Sequence, residues 1–185
     1  MDHIARTELI DRDLGLSFRF ATEEDIPALV KLRLAIDADH ERRFGRNRYS
    51  TTISERSVAR GLKSSRVLVA LRHGRIIGAL RMATKKPWAI DLKYFTPAMK
   101  AVYLHDVNVD PMLQRSGIGR QLIEHAKVIA REWPVDAIRL DAYDGPSGAG
   151  PFYGKCGFIE VGRAVYRRVP LIYFELVLQH SHRER

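Results

Sequence analysis

Residues 107–120 read VNVDPMLQRSGIGR. The stretch begins as a strand, a proline ends that strand, and Gly117 and Gly119 open an amphipathic helix. Amides in the first helical turn have no partner within the helix, and the helix dipole adds partial positive charge to them. The glycines let phosphates approach the backbone, and Arg115 and Arg120 add charge nearby. The stretch therefore predicts a cradle for a diphosphate group.

Two glycines in this arrangement also fit a plain turn with a close helix–sheet contact. The wider context favours a cofactor site, because residues 114–119, QRSGIG, resemble the Q/R-x-x-G-x-G/A signature of the GNAT acetyltransferases. The resemblance implies acetyl-CoA as cosubstrate and no metal. It implies cofactor contacts from the turn and from the backbone of the preceding strand: Gln114, Arg115, Ser116, Gly117, Ile118, Gly119, Arg120, Val107, Asn108 and Val109.

A second match to the same family comes downstream, where residues 149–158 read AGPFYGKCGF. This segment resembles the family's A-x-x-x-Y-x-K-x-G-F pattern. The resemblance implies that Tyr153 lies near the sulfur of the cofactor and protonates the departing thiolate. A tyrosine that only packs its ring and bonds its hydroxyl locally is the alternative. An asparagine that relatives often carry before this helix is absent, since residues 144–148 read DGPSG.

The proton acceptor is less constrained by the sequence. Residues 104–109, LHDVNV, resemble a stretch of polyamine-acetylating relatives in which a glutamate is a proposed base. His105 stands at that position, and an unperturbed histidine titrates near neutral pH. Asp106 is the alternative, and strand alternation lets only one of the two face the substrate. A structural histidine and a water molecule acting as base also stay open.

Hydrophobic periodicity predicts the element order β-α-α-β-β-β-α-β-α-β-β and therefore a mixed α/β fold. The resemblance implies the GNAT fold, with a mostly antiparallel sheet of six to seven strands and helices on both faces. Thr22 is the predicted cap of the first helix, and Thr51 or Thr52 that of the second. The apolar last strand is predicted to be central. The domain is predicted over 16–178, after a polar extension over 1–15 and before a polar tail over 179–185.

The composition narrows the classes of partner and compartment. One cysteine, Cys156, allows no intrachain disulfide, and no signal peptide or membrane-spanning run is evident, which together predict a cytoplasmic protein. His180 and His182 lack further metal-ligand partners. The net charge of +9 fits an anionic small molecule, and without a basic run interleaved with aromatics it does not favour nucleic acid. The densest basic group comprises Arg42, Arg43, Arg46 and Arg48.

The leading hypothesis from these patterns is an acetyl-CoA-dependent N-acetyltransferase that acts on a small-molecule amine. A protein or peptide acetyltransferase and a non-catalytic acyl-CoA-binding regulator are the alternatives, and a homodimer is compatible with the family. Trp88, Tyr94 and Phe95 in the 84–100 insertion either line an acceptor pocket or cover the sheet. Glu175 in the apolar last strand is predicted to bind either an acceptor amine or a structural arginine.

Overall fold

The computed structural model describes residues 9–11, 15–45, 53–97 and 100–179 of the chain. These residues group into two compact units. The first unit joins the chain up to Met82 with Asp106–His125, and the second joins Ala83–His105 with the chain from Ala126 onward. Each unit has its own group of paired strands and its own hydrophobic cluster.

The first unit contains four antiparallel strands in the order β1-β2-β3-β4, which span Leu9–Asp11, Leu16–Phe20, Arg66–Arg72 and Arg75–Ala83. His73 and Gly74 connect β3 to β4 with φ angles of 50° and 75°. Positive φ at both central residues matches the twist of a two-residue hairpin. Two consecutive strands of the predicted order thus form a hairpin, and β1 is a strand that the polar composition of 1–15 did not predict.

Helix α1, Ile26–Phe44, follows a short 3₁₀ turn over Glu23–Asp25. The Thr22 amide donates to Oδ2 of Asp25 at 2.8 Å. Thr22 precedes the 3₁₀ turn, whereas the N-cap of α1 itself is Asp25, so the predicted cap lies three residues too early. Arg19 Nη1 also contacts Asp25 Oδ2, at 2.7 Å, and this bond lowers the pKa of the Asp25 carboxyl. The acid thus fixes the helix start to the neighbouring strand β2.

Helix α2, Glu55–Ser64, is capped by Ser54. Its hydroxyl accepts from the Ser57 amide at 3.2 Å, and the Ser57 hydroxyl accepts from the Ser54 amide at 3.1 Å. The prediction of Thr51 or Thr52 as the cap is therefore wrong, and both threonines lie outside the described residues. Both helices contribute to one apolar cluster with β3 and β4, which contains Leu29, Leu32, Val58, Val67, Val69, Leu71, Ile76 and Ala79.

The second unit has the strand order β5-β6-β8-β7, and these strands span Ala101–Val109 (β5), Ala137–Tyr143 (β6), Ile159–Tyr166 (β7) and Val169–Val177 (β8). Strand β5 begins in this unit and passes into the first at Asp106. The β5–β6 pair is parallel, and β8 pairs antiparallel with β6 on one side and β7 on the other. The prediction that the last strand is central is confirmed, since β8 has neighbours on both edges.

The 84–100 insertion covers one face of these strands. Ile90 and Phe95 join a buried cluster with Tyr103, Leu171 and Tyr173. The insertion thus packs through its aromatic and aliphatic side chains as a cover for the sheet, which was one of its two predicted roles. Trp88 differs, because 85 % of its surface is exposed.

Helix α3 spans Ile118–Glu132, and helix α4 spans Gly150–Lys155. Counted from Leu16, the described residues form seven strands and four helices in the predicted order. The predicted mixed α/β fold with a mostly antiparallel sheet is confirmed. Among the described residues, no helix combines the length and the apolar character needed to cross a membrane.

Candidate functional site

A capped turn leads from β5 to α3 in the first unit. The Asp110 amide donates to the Ile77 carbonyl of β4 at 2.8 Å. Oδ1 of Asp110 accepts from the Met112 amide at 3.0 Å, and Oδ2 accepts from Arg75 at 3.0 Å. Asp110 therefore fixes a short 3₁₀ turn, Pro111–Leu113, to the hairpin below it.

The residues after this turn form an open, tightly bent loop. Arg115 and Gly117 have φ angles of 63° and 89°, and the Ser116 hydroxyl donates to the Leu113 carbonyl at 2.6 Å. A β-carbon built at Gly117 would meet no atom within 4 Å. The bend therefore requires glycine for its backbone conformation, and the space in front of it is not filled by side chains.

Three main-chain donors face this space. The first α3 bond of this turn runs from the Gln121 amide to the Gly117 carbonyl, at 3.0 Å. The amides of Ile118, Gly119 and Arg120 precede it and meet no acceptor among the described residues. Arg115 and Arg120 are exposed beside them. Free amides, the positive end of a fifteen-residue helix and two guanidinium groups form an arrangement that binds anions.

Close packing on β4 holds the start of α3 in place. A β-carbon at Gly78 would lie 3.0 Å from Leu122 Cδ1 and 3.2 Å from Ile118 Cγ2 of α3. It would also lie 3.1 Å from the Asn108 carbonyl of β5. Any larger residue at position 78 would thus displace the helix whose first amides face the open loop.

Strand β5 has an irregular residue at Asp106, whose φ of 49° lies in the left-handed region. Its Oδ2 accepts from Arg81 Nη1 at 3.1 Å and lies 3.9 Å from Arg33 Nη1. These contacts connect the bend in β5 to β4 and α1. Asp106 was a predicted alternative base, and the structure places its carboxylate between two guanidinium groups.

Tyr153 lies in the second unit, on α4. It is buried, with 8 % of its surface exposed, and its ring packs against the rings of Phe152, Phe158 and Phe174 at centroid distances of 5.2, 6.1 and 5.8 Å. The buried Lys127 ammonium donates to the Cys156 carbonyl at 2.5 Å, at the end of α4. The tyrosine is therefore held on a fixed helix end.

His105 and Asp141 occupy matching places on neighbouring strands of the second unit. Tyr103 and Arg139 form the last pair in the parallel register of β5 with β6, although both strands continue. His105 and Asp141 each come two residues later, on the same face as the last pair. Backbone pairing between β5 and β6 therefore ends before the level of these two side chains.

Asp141 is a candidate that the sequence analysis missed. Burial raises the pKa of its carboxyl above the usual value, and no side chain among the described residues forms a hydrogen bond or ion pair with it. It stands opposite Tyr173 of β8, whose hydroxyl donates to the Ala89 carbonyl at 2.5 Å. The available signal was one acid within the mostly apolar stretch 137–143, which reads AIRLDAY.

Glu175 has a structural partner. Its Oε1 accepts from Arg139 Nε at 2.8 Å, and its Oε2 accepts from the Thr96 amide at 3.0 Å. Arg139 also donates to the Thr96 carbonyl at 2.5 Å and stacks on Phe95. Of the two predicted roles for Glu175, the structure supports pairing with a structural arginine.

The predicted residues thus fall into two groups. The first unit brings together the open loop Gln114–Arg120, the half-buried Val107–Val109 of β5, and Asp106. The second unit contains His105 and Tyr153, with Tyr153 packed on the Phe174 face of β8. Within the described part of the chain, no group of three or more His, Cys, Asp or Glu residues could hold a metal ion. His180 and His182 lie outside that part.

Comparison with known proteins gives the same family from a family model and from solved structures. A family model described as "Acetyltransferase (GNAT) family" matches residues 32–158. The search of curated proteins returned no match. Many solved structures share the fold. A ribosomal-protein-alanine N-acetyltransferase from Brucella melitensis is 23% identical, with a TM-score of 0.67 over 87% of this chain and 99% of that one.

Two further solved structures have the same fold. The ribosomal-protein-S18-alanine N-acetyltransferase from Escherichia coli is 17% identical, with a TM-score of 0.66 over 92% of this chain and 98% of that one. The protein yncA from Salmonella typhimurium, solved with its cofactor acetyl-CoA, is 18% identical, with a TM-score of 0.65 over 91% and 96%. In yncA, a protein with the same fold as this chain, acetyl-CoA is bound.

Proposed function

Since the chain belongs to the GNAT family of acetyltransferases, we propose that it transfers the acetyl group of acetyl-CoA to a primary amine by direct attack on the thioester. The open loop before α3 carries this proposal, because the unpaired amides of Ile118, Gly119 and Arg120 suit a diphosphate. Gly117 leaves the space in front of these amides empty. The chain is an acyltransferase. The proposal assigns acetyl-CoA as its donor and a primary amine as its acceptor.

The loop and β5 have separate tasks in this proposal. Arg115 and Arg120 add positive charge beside the amides that grip the diphosphate. The bound cosubstrate supplies an activated thioester. Main-chain amides of Val107–Val109 then polarise the carbonyl, because fixed donors aimed at developing negative charge stabilise the transition state. Asp106 positions this segment through Arg81 and Arg33.

Proton transfer belongs to the second unit. The Tyr153 hydroxyl donates a proton to the departing sulfur, and its aromatic surroundings fix the ring in one orientation. His105 or Asp141 accepts the proton that the amine loses. The amine must be neutral to attack, so the substrate amine has to lose a proton during turnover. A carboxyl whose pKa is raised by burial is a stronger base than an exposed one.

A small-molecule amine is the proposed acceptor. The 84–100 insertion supports it, because Ile90 and Phe95 pack onto the sheet and wall off one face of the second unit. A peptide N-terminus is the second candidate, and it is favoured by the likeness in fold to two ribosomal-protein-alanine N-acetyltransferases. A cytoplasmic location and a homodimer stay predictions.

A panel of small amines and short peptides, assayed by thiol release from acetyl-CoA, tests the function.

Tyr153→Phe should lower kcat roughly a hundredfold and leave the Kd for acetyl-CoA nearly unchanged, since the ring packing is kept. Gly117→Glu should raise that Kd more than tenfold by placing a strained, negative side chain at the loop. Tyr166→Phe, a tyrosine change on β7, is the matched control. Acetyl-CoA binding without turnover of any amine would favour the non-catalytic regulator, and no binding would refute the proposal.

A further inference from the structure

The last turn of α1 lies against the open loop of the first unit. Arg43, one residue before the end of the helix, donates from Nη1 to Oε1 of Gln114 at 3.2 Å. Gln114 is the first residue of the Gln114–Arg120 loop. An arginine 71 positions earlier in the chain is therefore placed beside the phosphate cradle, a location that the sequence did not indicate.

A carboxylate one turn earlier orients this arginine. Arg43 Nη1 lies 3.4 Å from Oδ2 of Asp39, and Arg42 binds Oδ1 of the same carboxylate. Bonding to Arg42 lowers the pKa of the Asp39 carboxyl, so Asp39 stays ionised at neutral pH. One negative charge faces two guanidinium groups, and the helix end stays positive.

Arg43 keeps most of its donor capacity. A guanidinium carries five N–H groups, and the two hydrogen bonds of Arg43 both use Nη1. Its Nε and Nη2 meet no acceptor among the described residues, and 44% of the side chain is exposed. Two acceptors thus aim the group, and its other donors form a fork that no described residue occupies, the geometry that suits bidentate contact with a phosphate.

We propose that Arg43 is a phosphate-binding residue that α1 contributes to the cradle, where its free Nε and Nη2 donors contact the diphosphate of the acyl-CoA. The inference rests on the proposed function, since it concerns the same cosubstrate. It adds a contact from outside the Gln114–Arg120 loop. The Arg43–Gln114 hydrogen bond then also couples the end of α1 to the occupied loop.

Calorimetric titration of Arg43→Ala and Arg42→Ala with acetyl-CoA tests the assignment. Arg42 is the matched control, because it is adjacent, shares the Asp39 carboxylate and makes no contact with Gln114. Loss of one charge-assisted contact should raise the Kd of Arg43→Ala roughly tenfold, and that of Arg42→Ala by less than twofold. Arg43→Gln, which keeps the chain length without the charge, should resemble Arg43→Ala.

A truncated ligand and a truncated donor identify the group that Arg43 binds. In titrations with dephospho-CoA, a ligand that lacks the 3′-phosphate, the rise in Kd caused by Arg43→Ala should persist. With S-acetylpantetheine, which lacks the diphosphate, kcat/KM should be the same for Arg43→Ala and wild type. A penalty that disappears with dephospho-CoA, persists with S-acetylpantetheine or equals that of Arg42→Ala would overturn the inference. Failure of the wild-type protein to bind acetyl-CoA would refute the proposed function instead.

Discussion

Asp141 shows how one side chain can set the chemistry of a site. A buried carboxyl group without a partner destabilises a fold in its charged form, and such groups occur most often where function requires them. Burial raises the pKa of Asp141, whereas the buried acid Glu175 on the next strand has an arginine. Asp141 also stands at the level of His105, where β5 and β6 cease to pair.

Asp141→Asn should separate stability from activity. Because the pKa of Asp141 is higher in the folded than in the unfolded chain, the fold favours the protonated form and loses stability as pH rises through the raised value. The variant removes this penalty, so its Tm at pH 7 should rise by roughly 2–4 °C for about 1 kcal/mol. Thermal scans between pH 4 and 8 should show the difference from wild type growing with pH.

The same variant identifies the proton acceptor. If Asp141 is the base, activity falls as pH drops through its pKa, and Asp141→Asn lowers kcat about a hundredfold. His105→Gln is the paired variant. An acidic limb of the pH–rate profile that survives Asp141→Asn and is lost in His105→Gln would assign the role to His105 instead.

At the scale of elements, one buried ion pair ties β6, β8 and the 84–100 insertion together. The side chains of Arg139 and Glu175 are 5 % and 2 % exposed, and both bond to the backbone of Thr96. Their charges are desolvated, and the bonds to Thr96 compensate for part of that penalty. The pair therefore fixes the position of the insertion over the sheet.

Breaking this pair from one side should be strongly destabilising. Arg139→Met leaves Glu175 charged and buried, so the free energy of unfolding in urea should fall by about 3–5 kcal/mol. Arg163→Met removes an exposed arginine that bonds to Glu160 and Asp144, and should change it by less than about 1 kcal/mol. Equal losses for the two variants would contradict the structural role of the Arg139–Glu175 pair.

Local patterns explain which elements the sequence could predict. The Gln114–Arg120 loop follows from glycines and a helix start that lie next to each other in the chain, and the predicted helix opening at Gly117 lies one residue before the first residue of α3. The prediction of the α2 cap was wrong because three residues with a hydroxyl group lie within four positions and each could cap a helix: Thr51, Thr52 and Ser54.

Non-local pairing explains what could not be predicted. Arg139 and Glu175 are 36 residues apart, and only the register of β6 with β8 brings them together. The raised pKa of Asp141 has the same origin, since its burial depends on strands that pair across that distance. The contact between Arg43 and Gln114 spans 71 residues and depends on where α1 ends.

At the scale of the whole molecule, the net charge of +9 should favour an anionic cosubstrate over a neutral one. Acetyl-CoA carries phosphate charges, whereas S-acetylpantetheine carries none. If the charge acts through the phosphates, salt should weaken binding of the first donor and leave the second unaffected. A surface whose charge has no such role would give the same salt response for both.

Titrations between about 50 and 500 mM NaCl should therefore raise the Kd for acetyl-CoA roughly tenfold, since the Debye length falls from above 10 Å to below 5 Å over this range. The KM for S-acetylpantetheine should stay constant over the same range.

Arg120→Gln should flatten the salt dependence of the Kd for acetyl-CoA, because it removes one of the charges beside the amides of α3. Arg167→Gln, in the exposed turn between β7 and β8, removes the same charge elsewhere and should leave the slope as in wild type. Identical slopes for the two variants would mean that the overall charge, and not the loop, attracts the cosubstrate.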